Sequence, residues 1–269
     1  MDIKPKPTTN QPIVLSQIQG YIGTVTMNHG KKRNALSSEL VREILEVFDA
    51  FEAANVRVII LRAPAGVSVW SAGHNVQEIP VDGSDPVPWN TPFEQLLQRV
   101  RDLPMPVIGM IEGSVWGGAC DLAICCDMLV ATATASFAIT PAKLGISYNT
   151  AGVNHFLGVL PIHIIKQMLF TAEPLLAEDA YRLGLLNSLV EPEELEKVTW
   201  QLAEKIASRA PIAVKVLKLE IQRLTDGTSI SARDFEEIQG LRREAYRSQD
   251  FKEGISAFFE KRAPVFTGK

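Results

Sequence analysis

Short apolar runs alternate with segments of helical spacing through the first two thirds of the chain, and this alternation limits the fold more than any other feature. Ile22-Gly-Thr-Val-Thr-Met27 alternates apolar and polar residues like a half-buried strand. A polar loop, Asn28-His-Gly-Lys-Lys-Arg33, follows it. Ser37 or Ser38 can then cap a helix on which Leu40, Val41, Ile44, Leu45, Phe48 and Phe51 share one face. Val56-Arg-Val-Ile-Ile-Leu61 reads as a second strand, and residues 62–90, with Gly, Ser and Pro throughout, read as loop. Thr91-Pro-Phe-Glu94 opens the next helix with a hydroxyl cap, a first-turn proline and a glutamate to close a capping box. Val107–Ile111, Met128–Thr132 and Ser136–Ile139 continue the strand series, with a helix from Gly117-Gly118 to about Cys126 between the first two. From about residue 150 the pattern is helical except near Asn187–Val190. Residues 1–12 read as a loose arm. The whole predicts an α/β fold with an all-helical tail, divided as 13–200 and 201–269.

Composition enters as a set of exclusions. With 269 residues, 46% hydrophobic, the chain can bury a sizeable core without staples. No apolar run approaches the ~20 residues of a membrane span, and the polar start MDIKPKPTTNQP lacks the apolar stretch of a signal peptide. The three cysteines, Cys120, Cys125 and Cys126, cluster with no histidine at zinc-ligand spacing, which predicts buried thiols, no metal and a reducing, cytoplasmic setting. A net charge of −4 argues against nucleic acid or an anionic membrane as partner.

Three junctions carry chemistry. Ser71-Ala-Gly-His-Asn75 follows a strand end, and its small residues let a ligand approach the backbone. Glu112-Gly-Ser-Val-Trp-Gly-Gly-Ala-Cys120 runs from strand through a glycine pair into a helix, whose free N–H groups suit a developing negative charge. Thr140-Pro-Ala-Lys-Leu-Gly-Ile-Ser-Tyr-Asn-Thr-Ala-Gly152 holds polar donors in an irregular stretch. Taken singly, each also fits a plainer role as a turn, a tight helix–strand contact or a connector. None is a phosphate loop, a dinucleotide fingerprint or a nucleophile elbow.

Together, SAGHNVQEIP at 71–80, IEGSVWGGACDLAICCDMLVA at 111–131 and MNHGKKRNALSSEL at 27–40 resemble the crotonase, or enoyl-CoA hydratase/isomerase, superfamily over roughly residues 13–267. The resemblance implies a spiral of ββα units with a C-terminal helical trimerisation region. It also implies an acyl-CoA substrate with no separate cofactor, and a homotrimer or a homohexamer built as a dimer of trimers. It places the thioester oxygen between the main-chain amides of His74 and Gly118. CoA is expected along Ala72, Gly73, Asn75 and Val76, with Lys31 and Lys32 near its phosphates and Lys261 reaching CoA from its own or a neighbouring subunit. Within the family the chain looks most like the branch that decarboxylates methylmalonyl-CoA, through AGHN at 72–75, EGSVWGGA at 112–119 and TPAKLGISYN at 140–149. DFEEIQGLRREAY and FFEKRAPVFTG near the C-terminus belong to the same likeness.

Hydratases of the family use two glutamates to activate water. Here Asp121, shorter by a methylene, stands at the first position and Pro141 at the second. Decarboxylation needs no base, only a stabilised enolate and an oriented carboxylate, and the neutral hydroxyls of Tyr148 and Thr140 suit the latter. The expected reaction is therefore loss of CO2 from methylmalonyl-CoA to give propionyl-CoA. An enoyl-CoA hydratase or isomerase using Asp121 is the enzymatic alternative, and an idle acyl-CoA or RNA-binding scaffold the non-enzymatic one.

Overall fold

A computed structural model describes residues 12–80, 82, 84, 85, 88, 90–225 and 232–267. Of the expected N-terminal arm, residues 1–11 lie outside this set. The chain opens with the antiparallel pair β1 (Val14–Gln19) and β2 (Ile22–Met27), then α1 (Ser38–Ala53). Ser37, rather than Ser38, caps α1 by accepting from the Leu40 amide.

Three strand–strand steps follow: β3 (Val58–Arg62) with β4 (Val69–Ser71), β5 (Val107–Ile111) with β6 (Ser114–Trp116), and β7 (Met128–Thr132) with β8 (Ser136–Ala138). Helices α2 (Pro92–Asp102) and α3 (Gly118–Cys125) separate them. Each step lays its first strand in a six-stranded sheet, ordered β1-β2-β3-β5-β7-β10, and its second in a four-stranded sheet, ordered β4-β6-β8-β9. Neighbours from β2 to β10 run parallel in the large sheet, as do β4, β6 and β8 in the small one. This is a spiral of ββα turns.

Period-two alternation assigns each strand residue to a side. In β3, Val58 and Ile60 face one apolar cluster while Ile59 and Leu61 face another, and all four are fully buried. The larger cluster lies under α1, α2 and α3. After β8 come α4 (Thr150–Leu157), α5 (Ile162–Thr171), β9 (Leu175–Leu176), α6 (Ala177–Arg182), β10 (Ser188–Val190) and α7 (Pro192–Ala207). Leu195, Ala203 and Ala207 of α7 close the smaller cluster on the other face of the sheet.

The boundary expected at 200/201 falls inside α7, which belongs to the sheet's core. The helical region beyond it comprises α8 (Pro211–Thr225), α9 (Ala232–Arg247) and α10 (Gln249–Glu260). The stretch 62–90, expected to be loop, contains β4, whose three residues are too few to show a period. Trp70 in β4 is fully buried and donates its indole N–H to the Met110 carbonyl, 3.0 Å away, tying the small sheet to the large one. No helix among the described residues is long and apolar enough to cross a membrane.

Candidate active site

The three chemistry-bearing junctions leave the carboxyl ends of three adjacent parallel strands, β4 at Ser71, β6 at Trp116 and β8 at Ala138. Strand order therefore brings residues 71–75, 117–121 and 140–149 to one rim, the usual position for a ligand in a parallel sheet. There they surround a cleft of about 690 Å³, measured out to its mouth.

The first junction is held from behind by the polar loop after β2. Asn34, buried at positive φ, donates its side-chain amide to the Trp70 carbonyl. Ser71 Oγ donates to the Asn34 carbonyl at 2.7 Å, and the Leu36 amide donates to the Gly73 carbonyl at 2.8 Å. The early loop thus acts as a brace for residues 70–74. Gly73 has φ +81°, and a Cβ there would overlap the Trp116 carbonyl oxygen and lie 3.0 Å from the Gly118 nitrogen. Only glycine permits that approach.

Gly117, at φ 53°, donates its amide to the Ala138 carbonyl and turns the chain into α3. A Cβ on Gly118 would sit 3.4 Å from the His74 nitrogen. The His74 and Gly118 amides are therefore neighbours, and neither has an acceptor among the described residues. Gly118 is the first residue of α3, so the positive end of that helix stands behind its N–H. A pair of unspent, adjacent amides at a helix N-terminus can hold a developing oxyanion.

The His74 ring packs edge-on against Phe93, and both its nitrogens are buried without partners. Burial lowers its pKa, against a smaller opposing pull from Glu78, so the imidazole is neutral. The Tyr148 hydroxyl is also buried and unpartnered, and burial, reinforced by the nearby Asp121 carboxylate, pushes it well above the usual phenol range. It is a neutral donor. Thr140, Pro141 and Leu144 line the same wall, and the turn Pro141–Leu144 brings no carboxylate to it.

Asp121 is fully buried on α3 and lines the cleft. Arg101 Nη1 lies 2.9 Å from His155 Nε2, and His155 Nδ1 lies 2.7 Å from Asp121 Oδ1. A guanidinium only donates, so Nε2 accepts and the ring proton sits on Nδ1, where it is given to Asp121. The result is a neutral histidine bridging a cation and an anion, with Asp121 Oδ2 left unpartnered. Cys125 touches both Asp121 and His155. Ligand atoms of the three lie within 4.8 Å of one another, and in this structure they form a hydrogen-bonded cluster in which burial holds the Cys125 thiol well above its usual pKa. Cys120 and Cys126 are likewise buried free thiols.

Glu94 departs from its expected role. Thr91 Oγ accepts from the Glu94 amide, but the carboxylate does not return to close a capping box. It points inward on the buried face of α2 and accepts from the Asn149 side-chain amide. Burial, with Asp121 adding to it, raises its pKa to about 7. A carboxyl whose pKa is 4.5 unfolded and about 7 folded favours the folded state below pH 4.5, and that benefit is lost as pH rises through 7. Glu94→Gln should therefore be near neutral at pH 5 and stabilise at pH 8–9, on the order of 2–3 kcal/mol. Chemical denaturation at the two pH values checks this; equal effects at both would contradict it.

Of the residues singled out in the sequence, Ala72, His74, Val76, Gly118, Thr140 and Tyr148 line the cleft. Gly73 shapes it from behind. Asn75 spends its side chain within its own turn, on the Gln77 amide and the Glu78 carboxylate. Lys31 and Lys261 are exposed, on a turn after β2 and at the end of α10, and neither lines the cleft. Sequence reasoning missed Ser147, whose buried hydroxyl is unpartnered, along with His155, Arg101, Arg242 and Tyr246. Nothing in one sequence announces a partner 50 or 100 residues away.

Fold and site together define a cleft that presents two adjacent, unspent main-chain amides at the rim of a ββα spiral. The chain belongs to the enoyl-CoA hydratase/isomerase family, which it matches over residues 17–269. It is 40% identical to the methylmalonyl-CoA decarboxylase of Escherichia coli K12, over 92% of this chain and 95% of that one. It is 31% identical to a short-chain-enoyl-CoA hydratase of Clostridium acetobutylicum, over 93% and 95%. A solved structure of methylmalonyl-CoA decarboxylase in complex with 2-nitronate-propionyl-CoA superposes with a TM-score of 0.94 at 39% identity, covering 96% of this chain and 99% of the other.

Proposed function

We infer that this protein decarboxylates methylmalonyl-CoA, releasing CO2 and leaving propionyl-CoA. The observation that carries the reading is the make-up of the cleft. Two unspent amides, at 74 and 118, share it with the unpartnered hydroxyl of Tyr148, and residues 141–144 supply no carboxylate. Likeness to methylmalonyl-CoA decarboxylase, at 40% identity, points the same way.

The thioester oxygen lies between the two amides, with Tyr148 and Thr140 orienting the carboxylate out of the thioester plane. The C–C bond to the carboxylate then breaks. Its electron pair moves into the thioester as an enolate, CO2 departs, and a proton from water or a hydroxyl forms the new C–H bond. Neutral donors suit this step, because a cation on the carboxylate would stabilise the ground state more than the transition state. The main chain at 72–76 borders the pantetheine arm, and Lys31 and Lys261 offer charge to the CoA phosphates, Lys261 from the same or a neighbouring subunit. A cytoplasmic homotrimer or hexamer is supported by the family resemblance and by exposed apolar side chains on α8, such as Ile212 and Leu224.

Asp121 Oδ2, unpartnered beside the cleft, favours the second reading, a hydratase or isomerase. Separate assays with methylmalonyl-CoA and crotonyl-CoA decide between them. CO2 and propionyl-CoA should appear in equal amounts from the first, and hydration of the second without CO2 release would remove the decarboxylase reading. Asp121→Asn should leave CO2 release within about tenfold of wild type, whereas a carboxylate-dependent hydration must lose about 10²-fold or more.

A further inference from the structure

Tyr148 stands in residues 146–149, a stretch with no secondary structure of its own. Its place is set by what grips the stretch from either side. On one side Asn149 caps α4 through the Gly152 amide and reaches Glu94. On the other side stand the C-terminal helices. A Cβ on Gly145 would lie 2.7 Å from the Asp250 carbonyl oxygen, and one on Gly254 would overlap the Leu144 carbonyl, so α10 packs backbone to backbone against the turn that precedes Tyr148.

The Tyr148 ring packs edge-on against Phe156, and a further contact is polar and directional. Arg242 Nε lies 3.0 Å from Tyr246 Oη, and Tyr246 Oη lies 3.1 Å from the Ser147 carbonyl oxygen. Arginine only donates, so Tyr246 accepts from it and its own proton goes to Ser147. Both partners are almost fully buried. Arg242 is itself fixed by Gln239 and by Asp85, which offsets its charge.

We propose that Tyr246, oriented by Arg242, is a positioning residue that holds the Ser147 carbonyl and thereby aims the Tyr148 hydroxyl at the acyl end of the cleft. This rests on the decarboxylase reading. The helical tail is on this account part of the active site, since it fixes the peptide one residue before the carboxylate-orienting donor. A donor displaced by about an ångström loses most of its effect on rate while the distant CoA contacts are untouched.

Tyr246→Phe removes one oxygen and keeps the ring edge-on to Phe251. The expected result is a roughly tenfold fall in kcat for CO2 release, with KM for methylmalonyl-CoA within about twofold. Placed in a Tyr148→Phe background, the same substitution should change kcat by less than about twofold, because the hydroxyl it aims is gone. If Tyr246→Phe is not recovered folded, Arg242→Lys, which keeps the charge opposite Asp85 but cannot present Nε to Tyr246, carries the same test. Equal kcat losses in both backgrounds, or a raised KM with kcat unchanged, overturn the positioning role alone. A wild-type enzyme that releases no CO2 overturns the decarboxylase reading, and the positioning role with it.

Discussion

Gly118→Pro is expected to lower kcat for CO2 release by about 10²–10³-fold while CoA affinity changes little. The helix backbone accepts proline at this place. Residue 118 is the first of α3, the helix position where proline is best tolerated because its N–H has no intrahelical acceptor. What proline deletes is the donor facing the cleft. The Cβ that proline adds meets Phe93 Cζ at 2.8 Å, so the buried Phe93 ring, which packs edge-on against His74, must shift to accept it. Stopped-flow release of CO2 together with titration of CoA binding checks the expectation. Wild-type turnover in a folded Gly118→Pro protein would show that this amide takes no part in the reaction.

Gly73→Ala should be comparably damaging by a different route. No donor is removed. Alanine must adopt φ +81°, and its Cβ meets a carbonyl oxygen of the main chain, which no rotamer change relieves. Residues 72–75 must then move off Trp116–Gly118, widening the gap between the two amides. The backbone strain alone costs about 1–3 kcal/mol. That corresponds to several degrees in Tm for a protein of this size. The rate loss should be about 10²-fold, since an oxyanion donor works only within hydrogen-bonding distance. Calorimetry and the CO2 assay read the two effects separately. Activity retained alongside a lowered Tm would mean that the amide spacing is not what limits the reaction.

Both predictions come from glycines that the sequence already flagged, yet for reasons it did not contain. The pair at 117–118 was legible as a helix start with free amides. That His74 would supply the second amide followed only from the resemblance, and His74 alone is as easily a surface residue. The brace formed by Asn34 was invisible, because the loop around it reads as ordinary polar sequence. Glu94 is the instructive correction. Its spacing from Thr91 satisfies a capping box, and local spacing carries no information about which face of α2 will be buried. The tertiary fold turned Glu94 inward towards Asn149, and a local rule gave way to packing.

The strand–helix alternation, set by the periods of 2 and 3.6 in the apolar residues, is a property of the chain alone, and so are the glycine-rich strand ends and the want of a metal or phosphate motif. Those are local quantities, fixed by neighbours within a few residues. Strand order is not local. Only the pairing of β4 with β6 and β6 with β8 puts residues 73, 118 and 140 on one rim. Only helix packing joins Arg101 to Asp121 through His155, and Tyr246 to Ser147. Contacts between residues so far apart depend on how whole surfaces bury one another, and it is there that the chemistry of the cleft was decided.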